Sequence, residues 1–144
     1  MKKALTWVVL FLFTGLILPT FIGCQTQPTV TTNPDITGNI LGGFTGNYVA
    51  NYEMDPTRNY SSQINLVVSK IDVKKIRIDA QGGDSFECTI SGSSTNLKLT
   101  NITNTSGVYK SATDIEGYYI SGSLYYKVTG IVDGGNFYAE FTVI

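Results

Sequence analysis

Histidine is absent from this 144-residue chain, which also has only two cysteines and one tryptophan. The absence of histidine removes the commonest general base and the commonest metal ligand in proteins. Catalysis by Ser-His-Asp or Cys-His arrangements is therefore excluded. We expect a non-enzymatic protein with no cofactor and no metal site, since an enzyme would have to work with carboxylates, tyrosine or lysine alone.

Clustered positive charge is also lacking. The chain has 10 Lys and Arg residues against 11 Asp and Glu residues. Lys2 and Lys3 belong to the leader described next, which leaves eight basic residues against 11 acidic ones, a formal net charge of −3. Binding to nucleic acid phosphates needs clustered Lys and Arg. We therefore expect no nucleic acid partner.

The N-terminus is built like an export signal. Lys2 and Lys3 precede an apolar run from Ala4 to Leu18, the length that a signal peptide uses. A retained membrane helix is the alternative, but such a helix needs about 20 apolar residues, and the segment after the run carries no positive charge. The pattern favours a cleaved signal.

Phe21-Ile22-Gly23-Cys24 ends this leader. The motif resembles the lipobox of bacterial lipoproteins, with Phe21 at a position that is usually aliphatic. The resemblance implies cleavage after Gly23, attachment of lipid to the Cys24 thiol and a membrane-anchored location in the cell envelope. Gln25 stands where an Asp retains lipoproteins in the inner membrane of diderm bacteria, so in such a host the resemblance implies the outer membrane.

Three segments follow from this division. Residues 1–23 are the predicted signal peptide, residues 24–39 the lipidated cysteine and a Thr/Pro-rich flexible tether, and residues 40–144 a single domain. Cys88 is then the one cysteine left in the domain, on the apolar side of an alternating stretch. We expect it to be buried and inert, the alternative being a reactive or intermolecularly paired thiol.

The domain alternates apolar and polar residues with a period of two, and no stretch keeps a helical period. The pattern predicts about eight antiparallel strands joined by short turns, among them Asp133-Gly134-Gly135. Gly122-Ser123 is expected to be a tight turn that places Tyr119 opposite Tyr126, the alternative being a bend in one long strand. The predicted inward-facing residues are Phe44, Tyr48, Tyr52, Ile64, Leu66, Val68, Phe86, Leu97, Leu99, Leu124, Tyr126, Phe137 and Phe141.

An all-β meander with no covering helix avoids exposed edges most simply by closing on itself. We therefore predict a small closed β-barrel, with a two-sheet β-sandwich as the alternative. Gly46-Asn47-Tyr48 resembles the Gly-x-Trp that opens lipocalin barrels, with Tyr in place of Trp. The resemblance implies a lipocalin- or calycin-like barrel, but no ligand residue can be transferred from it.

Nine tyrosines are the main candidates for binding. An apolar ligand inside the barrel would contact a subset of the inward residues, although bulky side chains also favour a filled core. A glycan or protein on the outer face would contact outward rings, whose hydroxyls stay in water. The candidate ligand-lining residues are Tyr48, Tyr52, Phe86, Tyr126 and Phe137, and the candidate surface-binding residues are Tyr118, Tyr125 and Tyr138.

The carboxylates give weaker signals. Glu53 and Asp55 share one strand face, but a solvated strand end explains them as well as a glycosidase pair does. Asp133 lies in a glycine-rich turn that supplies too few oxygen ligands for calcium. The leading hypothesis is an envelope lipoprotein whose barrel binds a small ligand, a glycan or an envelope protein, and the alternative is a structural subunit of an envelope complex.

Overall fold

The structure, a computed structural model, describes residues 34–144. The predicted signal peptide, Cys24 and the tether up to residue 33 lie outside the described residues. The elements are β1 (Gly42–Tyr52), a 3-10 helix (Pro56–Arg58), β2 (Tyr60–Asp72), β3 (Lys75–Ala80), β4 (Ser85–Ser93), β5 (Asn96–Thr103), a second 3-10 helix (Gly107–Ser111), β6 (Ala112–Ile120), β7 (Ser123–Val132) and β8 (Gly135–Val143).

The eight strands form one closed barrel in chain order, and every neighbouring pair is antiparallel. β8 pairs with β1 to close it, with Phe141 opposite Tyr48 and Phe137 opposite Tyr52. Each strand therefore has hydrogen-bonded neighbours on both sides, which removes the exposed edges of an open sheet. The predicted fold class, a closed meander, is confirmed.

The period-two pattern sorts side chains between the inside and the outside of the barrel. All the predicted inward residues are buried except Phe44, which is partly buried and packs against the core. Packing explains why residue 46 is a glycine, because a Cβ there would lie 2.5 Å from the Phe141 ring. Phe141 in turn stacks on Tyr126, with ring centroids 5.5 Å apart.

The turn between β6 and β7 differs by one residue from the prediction. Its central residues are Ser121 and Gly122, both with positive φ, as in the tight turns that suit the twist of a hairpin. Tyr119 consequently lies opposite Leu124, and the predicted pairing with Tyr126 is wrong. Asp133 and Gly134 form the β7–β8 turn, as predicted.

One end of the barrel, here called the plugged end, carries the β2–β3, β4–β5 and β6–β7 turns and the entering chain at residues 34–41. Ile36, Thr37 and Ile40 of that entering chain are buried against the barrel. Asp35 accepts a hydrogen bond from the Thr37 amide at 3.0 Å and pairs with Lys70 near the end of β2. Within residues 34–144, the core therefore includes Ile36, which lies four residues before the expected start of the domain.

The opposite end, here called the open end, carries the loops at residues 53–59, 81–84, 104–111 and 133–134. The pairing of β5 with β6 stops at Leu99 and Gly117, so the two strands separate towards this end. The second 3-10 helix lies in the connection between them and inserts Tyr109, which is fully buried. This ring touches Phe86 at a centroid distance of 4.8 Å and helps to fill the core below the open end.

Candidate functional site

A pocket of about 550 Å³ lies at the open end. This volume is within the range of pockets that hold small molecules and cofactors. The lining residues come from β1, β2, β3 and the loops around them. They are Tyr48, Ala50, Tyr52, Arg58, Tyr60, Ser62, Gln63, Ile64, Ala80, Gln81, Gly82, Asp84 and Val108.

Small side chains create this space. Ala50 on β1, Ser62 on β2 and Ala80 on β3 share the inward parity of their strands close to the open end. Deeper in the barrel the corresponding positions carry bulky residues, and Phe86 and Tyr126 are fully buried there. The pocket therefore lies at the open end, and the barrel interior further from that end is filled by side chains.

Tyr48 is the most unusual residue of the lining. It is only 4% exposed, yet its hydroxyl has no hydrogen-bond partner in the described part of the chain. A buried hydroxyl without a partner is costly and calls for an explanation. Burial is the main cause that raises the pKa of Tyr48, and Tyr109 adds to it, but no hydrogen bond of good geometry joins these two phenols.

The other two buried phenols satisfy each other. The hydroxyls of Tyr109 and Tyr126 lie 2.7 Å apart and form a hydrogen bond inside the core. Burial raises the pKa of both groups, so they stay neutral. The Tyr48 ring centroid lies 6.5 Å from that of Tyr109 and 6.1 Å from that of Tyr60. Among the buried phenols of this cluster in residues 34–144, Tyr48 is the one whose hydroxyl lacks a hydrogen-bond partner.

Arg58 and Tyr52 form one side of the rim. The Arg58 guanidinium carbon lies 4.1 Å from the centre of the Tyr52 ring, a cation–π contact. The Asn59 side chain accepts a hydrogen bond from the Tyr52 amide at 2.8 Å, which ties the loop to the end of β1. Arg58 also faces Asp133 of the β7–β8 turn at 3.7 Å.

Hydrogen bonds between two loops form the other side of the rim. Asp84 accepts a hydrogen bond from the Val108 amide at 3.0 Å, and the Ser106 hydroxyl accepts one from the Ser85 amide at 3.0 Å. A Cβ at Gly107 would lie 1.6 Å from the Asp84 carboxylate, so this glycine is required for the close approach. The network fixes the second 3-10 helix, and with it Tyr109, over the core.

A shallower groove of about 380 Å³ lies next to the pocket. Tyr52 is among the lining residues of both. The predicted carboxylate Glu53 lies here and accepts a hydrogen bond from the Asn136 amide at 2.7 Å, which joins β1 to β8. The lining residues are Asn51, Tyr52, Glu53, Pro56, Asn59, Asn136 and Tyr138.

The structure separates the predicted ligand-lining set. Tyr48 and Tyr52 line the pocket. Phe86, Tyr126 and Phe137 are buried in the filled core and are not among the residues that line it.

The predicted surface tyrosines lie on β6, β7 and β8. Tyr118 is exposed and stacks on the partly buried Tyr125 with ring centroids 5.1 Å apart. Tyr138 stands apart from this pair and carries the Lys127 ammonium over its ring at 4.5 Å.

Several pocket residues were not among the sequence candidates. Arg58 lies in a loop and has no periodic signal, and Ala50 and Ala80 matter because they are small. Val108, which lines the pocket next to the buried Tyr109, left one weak signal, since Val108-Tyr109 is an apolar pair within a polar stretch. None of these positions could be assigned to a pocket before the barrel brought β1, β2 and β3 together at one end.

The predicted burial of Cys88 is confirmed. Cys88 is fully buried, and burial raises the pKa of its thiol to about 12, as an unreactive thiol requires. Residues 34–144 hold no group of three His, Cys, Asp or Glu side chains arranged to bind a metal ion. No helix in that same part of the chain is long and apolar enough to cross a membrane.

The fold and the site together define a closed eight-stranded antiparallel β-barrel with a pocket of about 550 Å³ at one end. Comparison of the chain with protein-family models, curated proteins and solved structures finds no match. The residues of the open end are therefore the basis on which a function can be proposed.

Proposed function

We propose that this protein is a lipid-anchored binding protein of a bacterial cell envelope, without enzymatic activity, that holds a small ligand in the pocket at the open end. The observation that supports the proposal best is the buried Tyr48 hydroxyl without a partner. A ligand with a polar atom at this hydroxyl would satisfy it and remove the cost of burying it alone. Because the hydroxyl has almost no accessible surface in this structure, the Tyr48 side chain would shift towards the pocket when the ligand binds.

The anchor is proposed from Cys24 and its lipobox. The described chain enters the domain at Pro34, at the plugged end, whereas the pocket lies at the other end of the barrel. A lipid attached ten residues before Pro34 would therefore hold the domain by the end opposite the open-end pocket. The ligand entrance would stay free.

Metabolic labelling with an alkyne fatty acid tests the anchor in the host cell. We expect the wild-type protein and Cys88→Ser to be labelled and Cys24→Ser to lose the label, because Cys88 is buried in the barrel. Equal labelling of Cys24→Ser and the wild type would contradict lipidation at Cys24.

Native mass spectrometry of the exported protein, purified from its host without denaturation, tests the pocket. We expect a co-purifying small molecule that is lost in Ala80→Leu, because the larger side chain fills the pocket. Val67→Leu is the matched control, since Val67 is exposed on the outer face of β2. A bare protein in all three samples, or a bound molecule that survives Ala80→Leu, would contradict the proposal.

A second candidate is glycan binding in the groove beside the pocket. Three asparagines and Tyr138 line it, and no Lys or Arg is among its described lining residues, a composition that suits a neutral polyol better than an anion. Chemical-shift perturbation by neutral oligosaccharides, abolished in Asn51→Ala but not in Asn96→Ala, tests this candidate. Equal shifts in both variants would contradict it.

A further inference from the structure

Arg58 has unused hydrogen-bonding capacity at the mouth of the pocket. Its contact with the Tyr52 ring positions the guanidinium. Within residues 34–144 its one ion pair, with Asp133, spans 3.7 Å, which is longer than a hydrogen bond. An arginine side chain has five N–H donors in a planar fork that matches a carboxylate. Arg58 is therefore a positioned oxyanion donor without a close oxyanion.

The charges around the pocket limit the ligand to one negative charge. Arg58 is the one cation among the described lining residues, and Asp84 is the one carboxylate. Asp84 already accepts a hydrogen bond from the Val108 amide, which keeps this carboxylate at the rim. A ligand with two negative charges would place the second one near Asp84 without a further cation to offset it.

The shape of the pocket limits the length of the ligand. Tyr48 and Tyr60 supply aromatic surface, and Ala50 and Ala80 leave room beside it. Below them the core is filled by residues such as Phe86, so a long acyl chain could not continue into the barrel. A flat ring packs well against phenol rings and needs only limited depth.

We propose that the ligand is a compact aromatic monocarboxylate, with its carboxylate on Arg58, its ring among the tyrosines and a polar group at its far end bonded to the Tyr48 hydroxyl. This inference rests on the proposed function, because it names the ligand class of the same pocket. In this proposal Arg58 binds the carboxylate of the ligand, and Tyr48 binds the polar group at the far end of the ligand.

Three probes separate these contributions: 4-hydroxycinnamate, its neutral amide 4-hydroxycinnamamide, and cinnamate, which lacks the phenol. Titration calorimetry of the mature chain, in one detergent solution throughout, measures each affinity. We expect 4-hydroxycinnamate to bind about tenfold more tightly than either of the other two, since each lacks one polar interaction. Its affinity should fall as salt rises, because Arg58 is partly exposed.

Variants at the rim assign the effect to Arg58. In Arg58→Gln the acid should lose its tenfold advantage over the amide, while the affinity of the amide stays within about twofold. In Asp133→Asn, which keeps a residue that tolerates the positive φ of this turn, the acid should bind about twofold more tightly, because a competing carboxylate is gone. Lys98→Gln is the control, since Lys98 is exposed on β5 and is not among the residues that line the pocket.

The outcomes distinguish this inference from the proposed function. Equal binding of the acid and its amide, or an unchanged preference in Arg58→Gln, overturns the monocarboxylate. No binding of any probe at millimolar concentration overturns it as well. In each case the proposed function stands if native mass spectrometry still shows a molecule that Ala80→Leu displaces, and fails if it does not.

Discussion

The plugged end and the open end of the barrel are built from different side chains. At the plugged end the entering chain turns over the barrel and buries Ile36 and Ile40. At the open end, inward positions on three strands carry the small side chains of Ala50, Ser62 and Ala80, and a pocket lies where bulky side chains would otherwise fill the barrel. The two ends share the same strands, so the difference comes from a few side chains and from what the adjacent segments contribute.

This contrast separates stability from binding. Bulky apolar residues at the plugged end and in the middle of the barrel remove large areas from water, which is the main driving force for folding. The open end gives up some of that burial and keeps Tyr48, whose hydroxyl is buried without a partner. Structures tolerate such local costs chiefly where a ligand or a reaction requires them.

Ile40→Ala should produce the largest effect and mark the plugged end as structural. Ile40 is fully buried, so the truncation should lower the free energy of unfolding by about 2–5 kcal/mol. Ala80→Leu at the open end should change it by less than about 1 kcal/mol, because the new side chain enters the pocket. Chemical denaturation of both variants checks this, and similar losses at the two ends would break the contrast.

Tyr109→Phe should destabilise the barrel by about 1–3 kcal/mol. The change removes the partner of the Tyr126 hydroxyl, 2.7 Å away, and leaves that hydroxyl buried and alone. Thermal unfolding followed by far-UV circular dichroism measures the loss. The double variant with Tyr126→Phe should recover much of it, and a double variant no better than the single one would refute the explanation.

Tyr48→Phe should have the opposite sign. Its hydroxyl has no partner to lose, so the ligand-free protein should be unchanged or more stable by up to about 1 kcal/mol. The measurement is the midpoint of chemical denaturation of Tyr48→Phe, compared with the midpoint of Tyr109→Phe. If Tyr48→Phe costs as much as Tyr109→Phe, the Tyr48 hydroxyl has a partner in solution and the pocket loses its main support.

Asp35→Asn should have the smallest effect, confined to the plugged end and dependent on pH. The hydrogen bond from Lys70, aided by Thr37, lowers the pKa of Asp35 from its ordinary value of 3.8 to about 2. A lowered pKa stabilises the fold above the unfolded value, and this contribution is lost as the pH falls from about 4 through 2. Denaturation at pH 6 should therefore distinguish the variant from the wild type, and denaturation below pH 2 should not. A difference that persists at low pH would argue against the Asp35–Lys70 pair.

The barrel could be predicted from alternation because inward and outward faces follow from the parity of each residue alone. Parity also placed Leu124 and Tyr126 inside correctly, yet it could not fix the hairpin register, which depends on which residues take positive φ. Ser121 takes one of those positions, although Gly122-Ser123 had the stronger turn signal. A one-residue shift of the turn changed the partner of Tyr119.

The pocket could be predicted only in part. Tyr48 and Tyr52 carry the inward signal, but that signal does not distinguish a filled layer from an empty one. The distinction depends on the small residues Ala50 and Ala80 lining the same space from different strands, which the parity of a single strand does not show. The position of Arg58 depends on a loop that packs on Tyr52, and the position of Tyr109 depends on a 3-10 helix between separated strands. Neither arrangement produces a periodic pattern in the sequence.

An electron-density map of the protein purified from its host without denaturation tests ligand binding at the open end most directly. We expect density for a small molecule in the open-end pocket, with a polar atom at hydrogen-bond distance, about 2.7–3.0 Å, from the Tyr48 hydroxyl. A pocket that holds only water, with the Tyr48 hydroxyl turned to bond Tyr109 instead, would contradict it.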